Sequence, residues 1–162
     1  MPPEKSHDAI HAQRPAIAPD LSLIWTAIVD IAPREDLGQG PTGQRYIVPI
    51  LGGKFFAGPG IDGLSGTVLP GGADRQLIAP DGFKTLDALY EMQTDDGTVL
   101  TIHNHVKVDE TAPSALYRRS VIEVTAPSGR LDWMNRRVFL GTLELAHPDR
   151  EAVIIRSWGQ AG

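Results

Sequence analysis

The sequence predicts an all-β domain: one antiparallel sheet closed, or nearly closed, into a barrel of about nine or ten short strands. Three observations lead there. Gly and Pro supply 17 and 13 of the 162 residues, which suits many short strands and turns better than long helices. Apolar and polar residues alternate with a period of two through segment after segment. The intervals between segments are too short for the crossovers of about a dozen residues that parallel strands require. A sheet this long tends to curl, and closure removes the edges that invite aggregation. An up-and-down or meandering barrel therefore comes first and a two-sheet sandwich second.

The elements follow in order. Residues 1–20 carry Pro2, Pro3, Pro15 and Pro19 and no apolar period, and read as a flexible arm that can dock late onto the body or onto a neighbouring subunit. Residues 21–162 form a single domain. In 21–31, Leu21, Leu23, Trp25, Ala27, Val29 and Ile31 share one parity, giving a strand with a strongly apolar face. Strands are expected at 46–51, closed by Gly52-Gly53, at 54–57, and at 61–69, closed by Pro70-Gly71-Gly72. Segments 86–93 and 99–108 flank Thr94-Asp95-Asp96-Gly97, whose Asp-Gly is a hairpin signal. Segments 116–125, 137–145 and 151–158 complete the set, leaving room for a helical turn only at 73–79 and 131–137.

Composition excludes several classes. With 20 acidic against 15 basic residues the net charge is -5, without the basic footprint of a nucleic-acid binder. Cysteine is absent, which removes disulfides, thiolate nucleophiles and Cys-ligated metals. No apolar run reaches a membrane helix or a signal peptide, so a cytoplasmic protein without membrane or nucleic-acid partners is expected, with homo-oligomerisation left open.

Candidate chemistry concentrates in a few places. Asp74 follows a glycine turn that can re-aim it into a barrel mouth, where an apolar setting raises a carboxyl pKa toward the range useful for general acid–base catalysis. Its alternative role is to bond turn amides. Gln76, two residues on, points the same way. Asn104 lies on the apolar parity of its strand with Leu100, Ile102, Val106 and Val108, and needs partners inside or a ligand. Tyr90 shares parity with Leu86, Ala88 and Met92, so its hydroxyl is expected inside. Arg119 shares parity with Tyr117, Val121 and Glu123; it is either a surface partner of Glu123 or, if that face turns inward, a carboxylate or carbonyl ligand. Trp133 and Asn135 occupy a short non-strand stretch where the Trp caps the lumen or plugs a barrel end.

His103-Asn104-His105 with Glu110 imitates the first metal motif of cupins. Its closing Gly is missing at Tyr117, no second block with a His follows, and parity sends both histidines to the polar face. No metal and no other cofactor is therefore expected. His7 and His11 fall in the arm, without fixed geometry.

The string from Gly52 to Pro59, then Gly63 and Val68-Leu69-Pro70-Gly71-Gly72-Ala73-Asp74-Arg75-Gln76, resembles the signature of the domain-of-unknown-function family 3237. Thr94-Asp95-Asp96-Gly97, Tyr117-Arg118-Arg119 with Glu123, and Trp133-Met134-Asn135 before Phe139-Leu140-Gly141 match later blocks in order. The resemblance implies a calycin-like (lipocalin-like) antiparallel barrel and no particular activity. The chain departs from the family pattern at Arg75, where an aromatic is usual, at Leu89, where Arg is common, and at Val106, where Gly is common.

Two functions fit these residues. One is a cofactor-free lyase, isomerase or cyclase that holds an apolar carbonyl or phenolic compound in the lumen, with Asp74 as acid/base and Gln76, Tyr90, Asn104, Arg119, Trp133 and Asn135 as substrate-binding candidates. The other is a lipocalin-like binding protein without catalysis. A cupin-like metal-dependent enzyme is the third alternative.

Overall fold

The fold comes from a computed structural model that describes residues 1–111 and 116–162. Among the described residues ten strands appear: β1 (Ser22–Ile31), β2 (Glu35–Gly40), β3 (Gly43–Ala57), β4 (Gly66–Val68), β5 (Ala73–Ile78), β6 (Lys84–Thr94), β7 (Val99–Asp109), β8 (Tyr117–Thr125), β9 (Phe139–Leu145) and β10 (Ala152–Gly159). Every pairing is antiparallel. The sheet closes because β1 pairs with β10 on one edge and β3 on the other, giving a barrel of eight strand positions.

The short strands β4 and β5 share one of those positions. Both pair with β3 and β6, β4 near the hairpin end and β5 toward the other end. They amount to one strand broken at residues 69–72. The break stays tied to both neighbours, through Leu69 N–H to Glu91 O (2.9 Å) and Ile50 N–H to Gly72 O (2.9 Å). Gly72 is required there, since a Cβ would lie 2.4 Å from the Cβ of Tyr90. β2 forms a hairpin on the first half of β3, outside the barrel ring.

Several expectations change. Segments 46–51 and 54–57 are one strand, β3, because Gly52-Gly53 continues the ladder to β1 instead of ending it. A Cβ on Gly53, at φ 139°, would lie 2.1 Å from the Ile28 carbonyl oxygen, so this glycine permits the close approach of β3 and β1. Segment 73–79, given room for a helical turn, is strand β5, while 131–137 does hold a short 3-10 helix, Asp132–Arg136. Segment 61–69 contracts to the three residues of β4, and the Gly-rich β2 was not anticipated. In the N-terminal arm, α1 (His7–Gln13) starts at Ser6, whose hydroxyl accepts from Ala9 N–H; none of its residues is buried. No helix among the described residues is long and apolar enough to cross a membrane.

The two halves of the barrel are filled differently. Trp25, Phe55, Leu64, Met92, Leu100, Met134 and Phe139 pack one half solidly, with Trp25 and Phe139 edge to face at 5.3 Å. The 3-10 helix closes this end: Trp133 packs on Phe139, and the Asn135 side chain bonds both the N–H and the C=O of Ala126 (2.8 and 3.0 Å). Arg130 adds a tie from Asp96 to the Gly63 carbonyl. Toward the other end the interior thins to Leu86, Val106 and Val108 with Leu143. That half of the lumen is left hollow.

Phe139 is fully buried. Phe139→Ala should lower unfolding free energy by about 3–5 kcal/mol in urea titration, with the m-value unchanged. Gly53→Ala should destabilise the barrel as a backbone clash, and shortening Ile28 to Val should not rescue it, because the obstacle is the Ile28 carbonyl.

Candidate functional site

Register around the ring decides what meets in the lumen. Val48 pairs with Asp74, Asp74 with Ala88, Ala88 with Asn104, and Asn104 with Ile122, so these five residues form one continuous row across β3, β5, β6, β7 and β8. Ala88 is small and leaves space between the carboxyl and the amide on either side. The next row toward the mouth carries Gln76, Leu86 and Val106, and the one beyond it Ile78, Lys84, Val108 and Arg118. Tyr90, two residues deeper than Ala88 on the same face of β6, supplies the floor.

These rows enclose a cavity of ≈ 290 Å³. That is near the lower end of the ligand-pocket range, about 300–1,000 Å³. Its wall is mostly aliphatic, with Val29, Ile31, Ile50, Leu143, Val153 and Ile155 contributed by β1, β3, β9 and β10. Against that wall stand Asp74, Gln76, Tyr90 and Asn104, with Lys84, Glu110 and Arg118 nearer the mouth. Tyr90 and Asn104 are each only 1% exposed.

The four inner polar groups are incompletely satisfied by protein. Gln76 Nε2–H donates to Asp74 Oδ2 at 2.9 Å. Asp74 Oδ1, Gln76 Oε1, Tyr90 OH and Asn104 Oδ1 are buried without a protein partner. Among the described residues, seven buried side-chain polar atoms are in this state; the other three, on Trp25, Ser120 and Ser157, belong to residues that do not line the cavity. A buried, unpaired polar group costs about 1–3 kcal/mol on mutational scales, so four around one apolar space constitute a concentrated expense.

Electrostatics follow from this burial. Desolvation raises the Asp74 carboxyl above the usual carboxylate range; the Gln76 bond, the Asp87 backbone N–H and the charge of Lys84 only partly oppose it. Burial also lowers the Lys84 ammonium, helped by Arg34 and Arg118 and opposed by Glu110 and Asp74. Tyr90 is pushed far up, first by burial and then by the Asp74 charge, so it stays a neutral hydroxyl donor. Gln76 occupies Oδ2, which leaves Oδ1 as the carboxyl oxygen without a side-chain partner. The arrangement can give a proton to, or take one from, a ligand atom in the cavity.

The structure thus brings Asp74, Gln76, Tyr90 and Asn104 together and leaves three other candidates elsewhere. Arg119 is on the outer face, its guanidinium 5.5 Å from the Tyr117 ring; the inward parity of β8 is Arg118, Ser120, Ile122 and Val124. Trp133 and Asn135 belong to the plug at the filled end, where Asn135 braces Ala126. Arg118, Lys84 and the lumen position of Glu110 were missed. The aliphatic pair Ile122 and Val124 was the signal for Arg118, and extending the inward parity of Leu86 and Ala88 back by one step finds Lys84. His103 and His105 face outward, as parity implied. Of the departures from the family pattern, Arg75 and Leu89 are on the outer surface and only Val106 faces the lumen.

The raised pKa of Asp74 has a consequence for stability. The folded chain keeps this proton at pH values where the unfolded chain has released it. Its contribution is therefore full below the ordinary carboxylate range and is lost as pH rises through the raised folded value. Asp74→Asn removes the titration while keeping the shape. In thermal melts the variant should match the parent in acid, exceed it progressively as pH rises through the raised folded value, and keep a constant advantage above it. A difference constant across pH would mean that Asp74 is not desolvated.

The signature of the family described as protein of unknown function, DUF3237, matches residues 19–159. A UPF0311 protein of Rhodopseudomonas palustris (strain TIE-1) is 31% identical over 147 residues, 83% of this chain and 93% of that one. The crystal structure of a conserved protein of unknown function from Rhodopseudomonas palustris is similar, with a TM-score of 0.77, 27% identity and coverage of 89% of this chain and 99% of that one. A structure described as an enzyme from Penicillium herquei shares the fold at a TM-score of 0.69 and 21% identity, covering 90% and 96% of the two chains. With nearly its whole barrel matched, from just before β1 to the end of β10, the chain belongs to the DUF3237 family.

Proposed function

We propose that this barrel binds a small, largely apolar carbonyl or phenolic compound in its lumen and catalyses a proton-transfer reaction on it without a cofactor: an isomerisation, cyclisation, hydration or elimination. The observation that carries this reading is the set of four buried, unpartnered polar atoms, on Asp74, Gln76, Tyr90 and Asn104, around one aliphatic cavity. A ligand carrying one or two oxygens satisfies them while its carbon skeleton fills the remaining wall.

Roles follow from the atoms available. Asp74 Oδ1 delivers or removes the proton, and the Gln76 amide holds the other carboxyl oxygen in place. The Tyr90 hydroxyl donates to a carbonyl oxygen and stabilises the negative charge that grows there when an adjacent C–H proton leaves. The Asn104 amide orients a second oxygen. In an isomerisation the proton taken by Asp74 returns to another atom of the same ligand, so the carboxyl ends as it began. Lys84 and Arg118 outnumber Glu110 at the mouth, a balance that favours compounds with some acidic character. The likeness to a fungal protein described as an enzyme supports only the coarser point that a barrel of this shape can house a reaction.

Testing begins with a thermal-shift screen of phenols, enones and lactones. With a ligand in hand, Asp74→Asn should bind it about as tightly as the parent and lose turnover by ~10²–10⁴-fold. Asn104→Leu should weaken binding by about 1–3 kcal/mol. Unchanged turnover in Asp74→Asn would remove the proton-transfer role and leave a lipocalin-like binding protein.

A further inference from the structure

On the outer surface of the wall that carries Asn104, three side chains meet. Asp87 of β6 is directly opposite His105 of β7, and His103 is two residues back along β7 on the same face. Asp87 Oδ1 is 2.6 Å from His103 Nε2 and 3.6 Å from His105 Nδ1, and the two imidazole centroids are 4.0 Å apart. One ligand atom from each residue falls within 4.8 Å of the others. The three side chains are 52%, 36% and 49% exposed, so an ion from solution can reach them.

We propose that Asp87, His103 and His105 form a binding site for a divalent first-row transition ion of the zinc type, on the outside of the barrel and separate from the lumen. Two imidazoles and a carboxylate are the N/O donor set such ions prefer, and three protein ligands leave positions for water or an external ligand. The strand period explains how the set arises: residues two apart on β7 point the same way, and the cross-strand neighbour on β6 completes the triangle. The backbone is held before any ion arrives, because the β6–β7 ladder is paired continuously from Lys84 with Val108 to Gln93 with Val99. The cupin-like reading took Glu110 as the third ligand, and the missing Gly, the missing second block and the outward parity counted against it. Glu110 lines the lumen mouth, whereas Asp87 provides a carboxylate on the face where the histidines are.

An ordinary surface pair of His103 with Asp87 is the competing explanation, and zinc uptake separates the two. The full-length protein, stripped by chelator dialysis, is titrated with zinc chloride in a calorimeter, and cobalt(II) is used as a spectroscopic probe. One equivalent per chain is expected, with a cobalt visible spectrum showing nitrogen ligation. Removing even an outer partner of a metal ligand costs about 10–100-fold in affinity, so His103→Ala and the near-isosteric Asp87→Asn should each weaken zinc binding by at least about tenfold. The double variant of the arm, His7→Ala with His11→Ala, should bind like the parent. Far-UV circular dichroism confirms that each variant is folded, and Asp87→Asn serves if His103→Ala is not. The proposal is overturned if the stripped parent takes up no zinc. It is equally overturned if His103→Ala and Asp87→Asn bind unchanged, if only the arm variant loses binding, or if half an equivalent binds with formation of a dimer.

Discussion

The double pairing of β1, with β10 on one side and β3 on the other, turns a curled sheet into a cylinder, and every interior contact presupposes it. It depends on a close approach that a side chain at Gly53 would block, since the Ile28 carbonyl lies where a Cβ would be. A bulge between Leu23 and Trp25 lets both Ile24 and Trp25 be buried, which broadens the apolar surface available to the filled end. Once the ring is closed, neighbouring strands cannot spread apart independently. Polar groups facing inward are then fixed relative to one another, and that rigidity is the precondition for a preorganised site.

The same cylinder is packed in one half and hollow in the other, and sequence chemistry explains the contrast. Aromatic and long aliphatic side chains, Trp25, Phe55, Met92, Leu100 and Phe139, fill the end closed by the 3-10 helix. From the level of Ala88 outward the aromatic residues give way to an aliphatic wall interrupted by the small Ala88 and by the polar Asn104, Asp74 and Gln76. Larger apolar residues at those positions would fill the cavity and remove the unpaired polar atoms at once. Retaining them sacrifices stability, a cost that the ligand proposed above would offset on binding. The break between β4 and β5 belongs to the same logic, because Gly72 lets the chain pass close to Tyr90 before Asp74 turns into the lumen.

Much of this was legible in the sequence, for reasons that also explain what was not. Period-two alternation placed Tyr90 and Asn104 on inward faces, because a strand buried on one side leaves its parity written in aliphatic residues, whereas Asp74 and Gln76 were legible only from the glycine turn before them. The Asp-Gly turn at 94–97 fixed the β6–β7 hairpin. On β8 parity left Arg119 between a surface role and an inward one; Ile122 and Val124 mark the inward face, and Arg119 is on the other. Parity was silent on Trp133 and Asn135, which stand in a 3-10 turn without a strand's two-fold periodicity. The glycines at 52 and 53 read as a terminator because glycine punctuates turns more often than it permits a close strand crossing, and only three-dimensional proximity to Ile28 tells the two uses apart. Asp87 was passed over because its partners are sixteen residues and more away, reachable only by counting register through the turn.

Strand β7 shows how strictly the two faces are coupled. Asn104 points into the lumen between two outward histidines, so the residue most deeply committed to the cavity and the pair gathered around Asp87 are neighbours in sequence and on opposite sides of one wall. A slip of one residue in the β6–β7 register would expose Asn104 and drive both imidazoles into an aliphatic interior. The turn that prevents this is heavily braced: Thr98 N–H bonds the Thr94 hydroxyl at 3.0 Å, and Asp96 is held by Thr94, Thr98 and Arg130. Arg130 also reaches the Gly63 carbonyl, at 2.9 Å, which ties the turn to the segment leading into β4. A contact at the filled end therefore sets the register on which the arrangement at both faces depends.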